Sequence, residues 1–295
     1  MNIRELICVV ALSLVMTGCG PGFQPTNHAV PAPAGAIAAA PLGGDTIAVL
    51  AGDDRAKAIS LVSLENGAVI RIFGVTKEAS DLSSAGPDGP LLLSISGTGD
   101  DGRPMGAIET WSTDGVKQRV VPLPLRAINL TRNVAGTVFV LIASGKVRAA
   151  IPLHVATMHT GPVVPLDAYA RKLEQCRFGN ANYLVFSHEN GGTVGVRDLK
   201  TGTVTRSTVA GDDPTCLDDG NPGVYAIEKT LVNDQIARLD LPGLHRQGYL
   251  PAAHDTAALY ESLDHRLIAL DASRRVSTVE EYPAETSLGQ LSDLR

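Results

Sequence analysis

Short apolar runs recur along this chain at a nearly constant interval, and that interval restricts the possible folds more than any single motif does. They begin at Ile47 (IAVLA), Leu91 (LLLSI), Val138 (VFVLI), Tyr183 (YLVF), Val224 (VYAI) and Leu267 (LIAL), with spacings of 44, 47, 45, 41 and 43 residues. Turn glycines keep a second series, Gly67, Gly115, Gly161, Gly202 and Gly243, spaced 48, 46, 41 and 41. Two independent markers therefore share one period. A period of about 40 to 48 residues belongs to helical repeats or to propeller blades, and the local pattern decides between them.

That pattern is strand throughout. Residues 46–74 divide into TIAVLAG, AISLVSLENG and AVIRIFG, runs rich in Val, Ile and Leu with turn residues between them. The fourth unit repeats the arrangement as YLVFS, TVGVRDL and TVTRSTV. Glu65-Asn66-Gly67, Thr113-Asp114-Gly115 and Pro87-Asp88-Gly89 are hairpin turns, with Gly where φ must be positive. No segment sustains the i, i+3, i+4, i+7 apolar face of a helix. Each unit reads as four short strands: a poorly patterned inner one, a very apolar second, an alternating third and a polar outer fourth.

Asp198-Leu199-Lys200-Thr201-Gly202 closes the third strand of its unit, and Asp240-Leu241-Pro242-Gly243 and Leu64-Glu65-Asn66-Gly67 match it in part. Trp111-Ser112-Thr113-Asp114-Gly115 stands at the equivalent place. These units resemble the blades of YVTN-type and WD-repeat β-propellers. The resemblance implies an all-β chain, a single propeller over residues 35–282, with six blades of four antiparallel strands. A seventh blade would need another unit of about 43 residues, for which the chain has no room. The last unit offers strands only at 257–261, 267–271 and 276–281. An open ring exposes sheet edges, so residues near His28–Ala32 are expected to supply the missing outer strand. Pro31 is tolerated there because an outer strand has one unpaired side. The propeller resemblance carries no activity, because this architecture hosts binding, scaffolding and catalysis alike.

The N-terminus implies a location. Arg4 precedes an apolar stretch from Leu6 to Met16, followed by Met16-Thr17-Gly18-Cys19. About ten apolar residues make the core of a signal peptide, whereas a spanning helix needs about 20. The series resembles the lipobox of bacterial lipoproteins. That resemblance implies a signal peptide at 1–18, lipidation of Cys19, a proline-rich tether at 19–34 and attachment to the cell envelope outside the cytoplasm. Gly20 after the cysteine resembles the form passed to the outer membrane if the host is Gram-negative. Residues 283–295 form a C-terminal tail. Simple secretion is the alternative.

With Cys8 in the leader and Cys19 lipidated, Cys176 and Cys216 remain as a pair in an oxidising compartment. They lie 40 residues apart, about one period, on inner strands of neighbouring units. A disulfide is expected between them, with two buried free thiols as the alternative.

No chemistry is announced beyond that. Asp212-Asp213 and Asp218-Asp219 flank Cys216, but their spacing is not that of a calcium loop, and they read as solvated turns. The seven histidines show no metal-binding spacing. Arg126, Arg132, Lys172 and Arg177 fall on expected inner strands and would line a partly basic channel. There is no Gly-x-Ser-x-Gly elbow, and Gly191-Gly192-Thr193-Val194-Gly195 lacks the Lys-Ser/Thr of a phosphate loop. A net charge of −6 argues against nucleic acid as a partner. No catalytic residue, metal site or cofactor is assigned. The expectation is a membrane-anchored binding or scaffold module for a protein or envelope ligand. The alternative is a propeller enzyme of lactonase or lyase type with a metal at the channel mouth.

Overall fold

Runs of β-branched and aliphatic residues interrupted by glycine turns become antiparallel strands here, and no helix occurs among the described residues. The computed structural model describes residues 28–282 apart from positions 88, 99–101, 103, 189–191, 218–222, 230–233, 253–255, 262–266 and 272–276. The expected leader, Cys19, the tether before residue 28, Asp218, Asp219 and the tail at 283–295 lie outside the described residues.

The strands form six sheets. β1 (His28–Ala32) stands apart from its sequence neighbours. The first sheet holds β2 (Ala36–Pro41), β3 (Thr46–Gly52), β4 (Lys57–Ser63) and β5 (Val69–Val75). The second holds β6 (Ala79–Ser84), β7 (Leu91–Thr98), β8 (Pro104–Trp111) and β9 (Lys117–Leu123). In the third, β10 (Arg126–Leu130), β11 (Thr137–Ser144) and β12 (Val147–His154) are followed by two short pieces, β13 (His159–Thr160) and β14 (Val164–Pro165). The fourth sheet is β15 (Ala170–Phe178), β16 (Ala181–His188), β17 (Thr193–Asp198) and β18 (Val204–Ala210). The fifth is β19 (Asp212–Leu217), β20 (Gly223–Glu228), β21 (Gln235–Asp240) and β22 (Arg246–Pro251). β23 (Thr256–Glu261), β24 (Leu267–Asp271) and β25 (Ser277–Tyr282) make the last sheet, and β1 completes it by pairing antiparallel with β25 from His28↔Glu281 to Ala32↔Ser277.

Inner strands β2, β6, β10, β15, β19 and β23 each touch the next, and β23 touches β2, so they circle one axis as in a β-propeller. An apolar cluster fills each junction. Leu50 and Leu61 meet Leu91, Leu93 and Trp111 between the first two sheets, and Ile47, Val49 and Val62 meet Ile268 and Leu270 between first and last. Alternate residues of β3 thus serve opposite junctions. A second strand covered on both faces must be apolar at every position, which is why those runs were so visible in the sequence. Outer strands are wet: every residue of β5 is at least partly exposed.

The four-strand pattern breaks in the third sheet, where the outer strand is split. β13 pairs with the end of β12 and β14 with its beginning. Gly161-Pro162-Val163 lies between the two pieces, and Pro162 has no N–H to give the ladder. Gly67 and Gly115 adopt the positive φ expected of their turns, whereas Gly89 does not and Gly86 takes that conformation instead. Asp198 accepts N–H bonds from Lys200 (2.7 Å) and Thr201 (3.0 Å), and Gly202 adopts φ 75°. Those two bonds hold the Asp198 carboxyl below its ordinary pKa.

Candidate functional site: the axial channel

Every inner strand carries a register shift near its start. The shifts fall at Ala36/Ala38, Ala79/Asp81, Ala127/Asn129, Ala170/Lys172, Asp212/Thr215 and Thr256/Ala258. A bulge re-aims the side chain beside it, and here the re-aimed side chains serve the neighbouring sheet. Asp81 accepts the N–H of Leu130 at 2.8 Å, and Asn129 accepts that of Leu173 at 2.6 Å. Asp213 accepts the N–H of Leu259 at 2.6 Å. In the last sheet the bulge neighbour is Ala258, which has nothing to offer, and the Tyr260 hydroxyl accepts the Ala39 N–H instead, at 2.8 Å. The Asn129 amide also donates to Asp81. One polar device therefore recurs around the axis, bracing four of the six contacts between inner strands.

Charges occupy the space between these braces. Lys172 lies 3.2 Å from Asp213, and Arg132 pairs with Glu261 and lies 3.8 Å from Glu174. Arg132 follows β10 in the third sheet and Glu261 ends β23 in the last, so their contact crosses the channel. Among the described residues lining this space, Asp81, Glu174, Asp213 and Glu261 thus face two cations. Burial works against the Lys172 charge, but Asp213 and Asp81 outweigh it and hold the ammonium above its ordinary pKa. Burial pushes Asp213 up, with Lys172 opposing. Burial also raises Glu174 to about 7, although Arg132 and two backbone N–H groups pull it down. Tyr260 is raised by burial and stays neutral. The cavity these residues enclose has a volume of about 60 Å³. That is room for a few waters, far below the ~300–1,000 Å³ of ordinary ligand pockets.

Of the four cations expected to line the channel, Lys172 and Arg132 border this cavity. Arg126 is exposed and bonds Thr98 at 3.1 Å, and Arg177 is exposed on β15. The partly basic channel is corrected to one with more carboxylates than cations. Asp212 and Asp213 are likewise corrected. They are part of inner strand β19, not solvated turns, and Asp212 accepts from Ser187 at 3.0 Å while Asp213 is buried. Among the described residues no histidine borders the cavity. Among the described residues no group of three or more His, Cys, Asp or Glu is placed to hold a metal. Cys176 and Cys216 are disulfide-bonded with Cα atoms 5.7 Å apart, both fully buried at the junction of the fourth and fifth sheets. Sequence reasoning missed Asp81, Asn129, Glu174, Tyr260 and Glu261. The available signal was their period, since Asp81, Asn129, Lys172 and Asp213 are spaced 48, 43 and 41 residues apart.

No family model and no curated protein matches this sequence. Solved structures match by shape. A chain of the Mitotic Checkpoint Complex superposes with a TM-score of 0.61 at 13% identity, covering 90% of this chain and 95% of that one. A candidate 6-phosphogluconolactonase from Bacteroides uniformis gives 0.54 at 14%, covering 82% and 79%. The propeller of Dos1 gives 0.51 at 13%, covering 86% and 71%. Likeness at such identities shows the fold, a β-propeller.

Proposed function

We propose that this protein is a non-catalytic, lipid-anchored scaffold that binds a protein or envelope ligand through its outer surfaces. The observation that carries the reading is the filled channel. Its charges are engaged with one another and with backbone N–H groups, and the space of about 60 Å³ between them is small for an organic substrate. A surface-binding role asks only for a rigid frame carrying exposed loops, and the recurring inter-sheet braces supply rigidity. Anchoring is drawn from Met16-Thr17-Gly18-Cys19, followed by a short proline-rich tether.

The ring is complete at six YVTN-like or WD-like blades in this reading. Contact between β2 and β23, together with the β1–β25 pairing, supports this count. The lactonase-type alternative draws on the likeness to the Bacteroides uniformis protein. It requires carboxylates free to meet a metal or substrate, whereas Asp213 here is held by Lys172 and Leu259.

Two measurements test the proposal. Cys19→Ala should abolish acyl labelling and move the protein from membrane to soluble fractions; unchanged partitioning defeats the anchor. Purified protein offered lactones with divalent metal ions should show no turnover that Glu174→Gln removes. Turnover lost in that variant would replace the scaffold reading with the enzymatic one.

A further inference from the structure

Strand direction places several features of the outer rim at one end of the molecule. The inner strands all finish at the same face, the one marked by Pro41, Ser84 and Glu261. In an antiparallel four-stranded sheet the fourth strand starts where the first ends. β5 therefore begins at this face with Val69, and β9 begins there with Lys117. β1, antiparallel to β25, begins there with His28. The tether consequently enters at this face, on the rim of the last sheet and next to the first.

The same rim is apolar where water would ordinarily select polar residues. Val69, Ile70, Ile72, Val116 and Val120 are each more than half exposed. Val69 pairs with Val62 and Ile72 with Ser60, and Val62 packs in the cluster shared with the last sheet. The Val69 and Ile72 side chains thus lean toward the sheet that receives the tether. Charge follows the same line. β5 and β9 contain Arg71, Lys117 and Arg119 and no carboxylate, and Lys117 pairs with Glu109 of β8 at 2.8 Å, which leaves Arg119 as the cation of these strands without an ion pair among the described residues. Asp114, in the neighbouring turn, is paired with Arg71, and Glu65 precedes β5.

We propose that this rim, centred on Val69, Ile70 and Ile72, lies against an anionic lipid bilayer and fixes the orientation of the propeller on it. The inference rests on the lipid-anchor reading of Cys19. His28 stands nine positions after Cys19, a reach of at most roughly 30 Å and on average about 17 Å for a flexible chain. The face that receives the tether is therefore held within a short distance of the headgroups. Aliphatic side chains flanked by Arg and Lys are the composition that partitions into such an interface. The opposite face, where the β11–β12 turn carries exposed Val147, then points away from the membrane and is the one open to partners.

The test uses the full acylated chain in phosphatidylethanolamine–phosphatidylglycerol vesicles. A thiol-reactive fluorophore is placed at Ile70→Cys or at Val147→Cys, the native pair being bonded. Acrylamide quenching at position 70 should fall about threefold relative to the same label on a chain beginning at Gly20, which lacks the lipid and Cys8, in buffer. Position 147 should be unchanged, and Ile72→Asp should restore quenching at 70 while the protein stays vesicle-bound. Equal quenching at both positions in acylated, vesicle-bound protein overturns the proposal. So does a label at 70 already protected without vesicles, which would mean that a second copy covers the rim. An absent acyl label removes the anchor reading, and this one with it.

Discussion

Asp81, Asn129 and Asp213 hold one position repeated around the ring, and each satisfies the same backbone N–H of the sheet that follows. A buried N–H left without an acceptor costs about 1–3 kcal/mol. Asp81→Leu strips acceptors from both Leu130 and Asn129, and is expected to lower stability by about 3 kcal/mol in urea denaturation. Glu174 supplies a pH signature. Its folded pKa of about 7 exceeds its ordinary 4.5, so between those values the folded state holds a proton that the unfolded state has lost. Stability from this group is full below about pH 4.5 and falls as pH rises toward 7. Glu174→Gln removes the titration, so the variant should gain on the wild type between pH 5 and 8, by up to about 3 kcal/mol. Thermal melts across that range read it, and a pH-independent difference would contradict it. Lys172 and Arg132 were legible as channel cations, although Arg132 lies just past its inner strand. Their carboxylate partners were not, because one polar residue beside a bulge carries no period-two signal.

At the scale of strands, legibility followed burial. Second strands such as β7 are covered on both faces and announce themselves as apolar runs, whereas inner strands answer to neighbours about 45 residues away. The closing strand at His28–Ala32 was legible for a different reason, since a ring with an unpaired edge in its last unit needs one more strand from somewhere. The split outer strand of the third sheet was not legible, because β13 and β14 are two residues each. Deleting residues 28–32 should leave the β25 edge open and convert a cooperative unfolding transition into aggregation, read by light scattering on heating. Close packing gives a sharper test at Gly106. A Cβ there would lie 1.9 Å from the Leu125 carbonyl oxygen. Gly106→Ala should therefore destabilise by about 1–3 kcal/mol, while Gly44→Ala, with open space around its Cβ, should suffer only its positive φ.

For the molecule as a whole, the Cys176–Cys216 bond adds a covalent link between two sheets that also meet through packing, the Lys172–Asp213 pair and the Ser187–Asp212 hydrogen bond. It closes a loop of 40 residues, worth up to roughly 4 kcal/mol in the unfolded-chain account. Reduction should lower the melting temperature without abolishing the fold, since six apolar junctions remain. The central claim is that the Lys172–Asp213 pair holds the ring together and does no chemistry. Lys172→Met leaves the buried Asp213 carboxylate without its cation, a loss of about 3–5 kcal/mol. Asp213→Asn keeps an acceptor for the Leu259 N–H, as Asn129 already does for Leu173. A double-mutant cycle of Lys172→Met and Asp213→Asn by urea denaturation is the direct measurement. The account predicts a strongly destabilised Lys172→Met that Asp213→Asn rescues, with a coupling of about 2 kcal/mol or more. Single variants as stable as the wild type or more so, the mark of residues kept for function at the expense of stability, would contradict it.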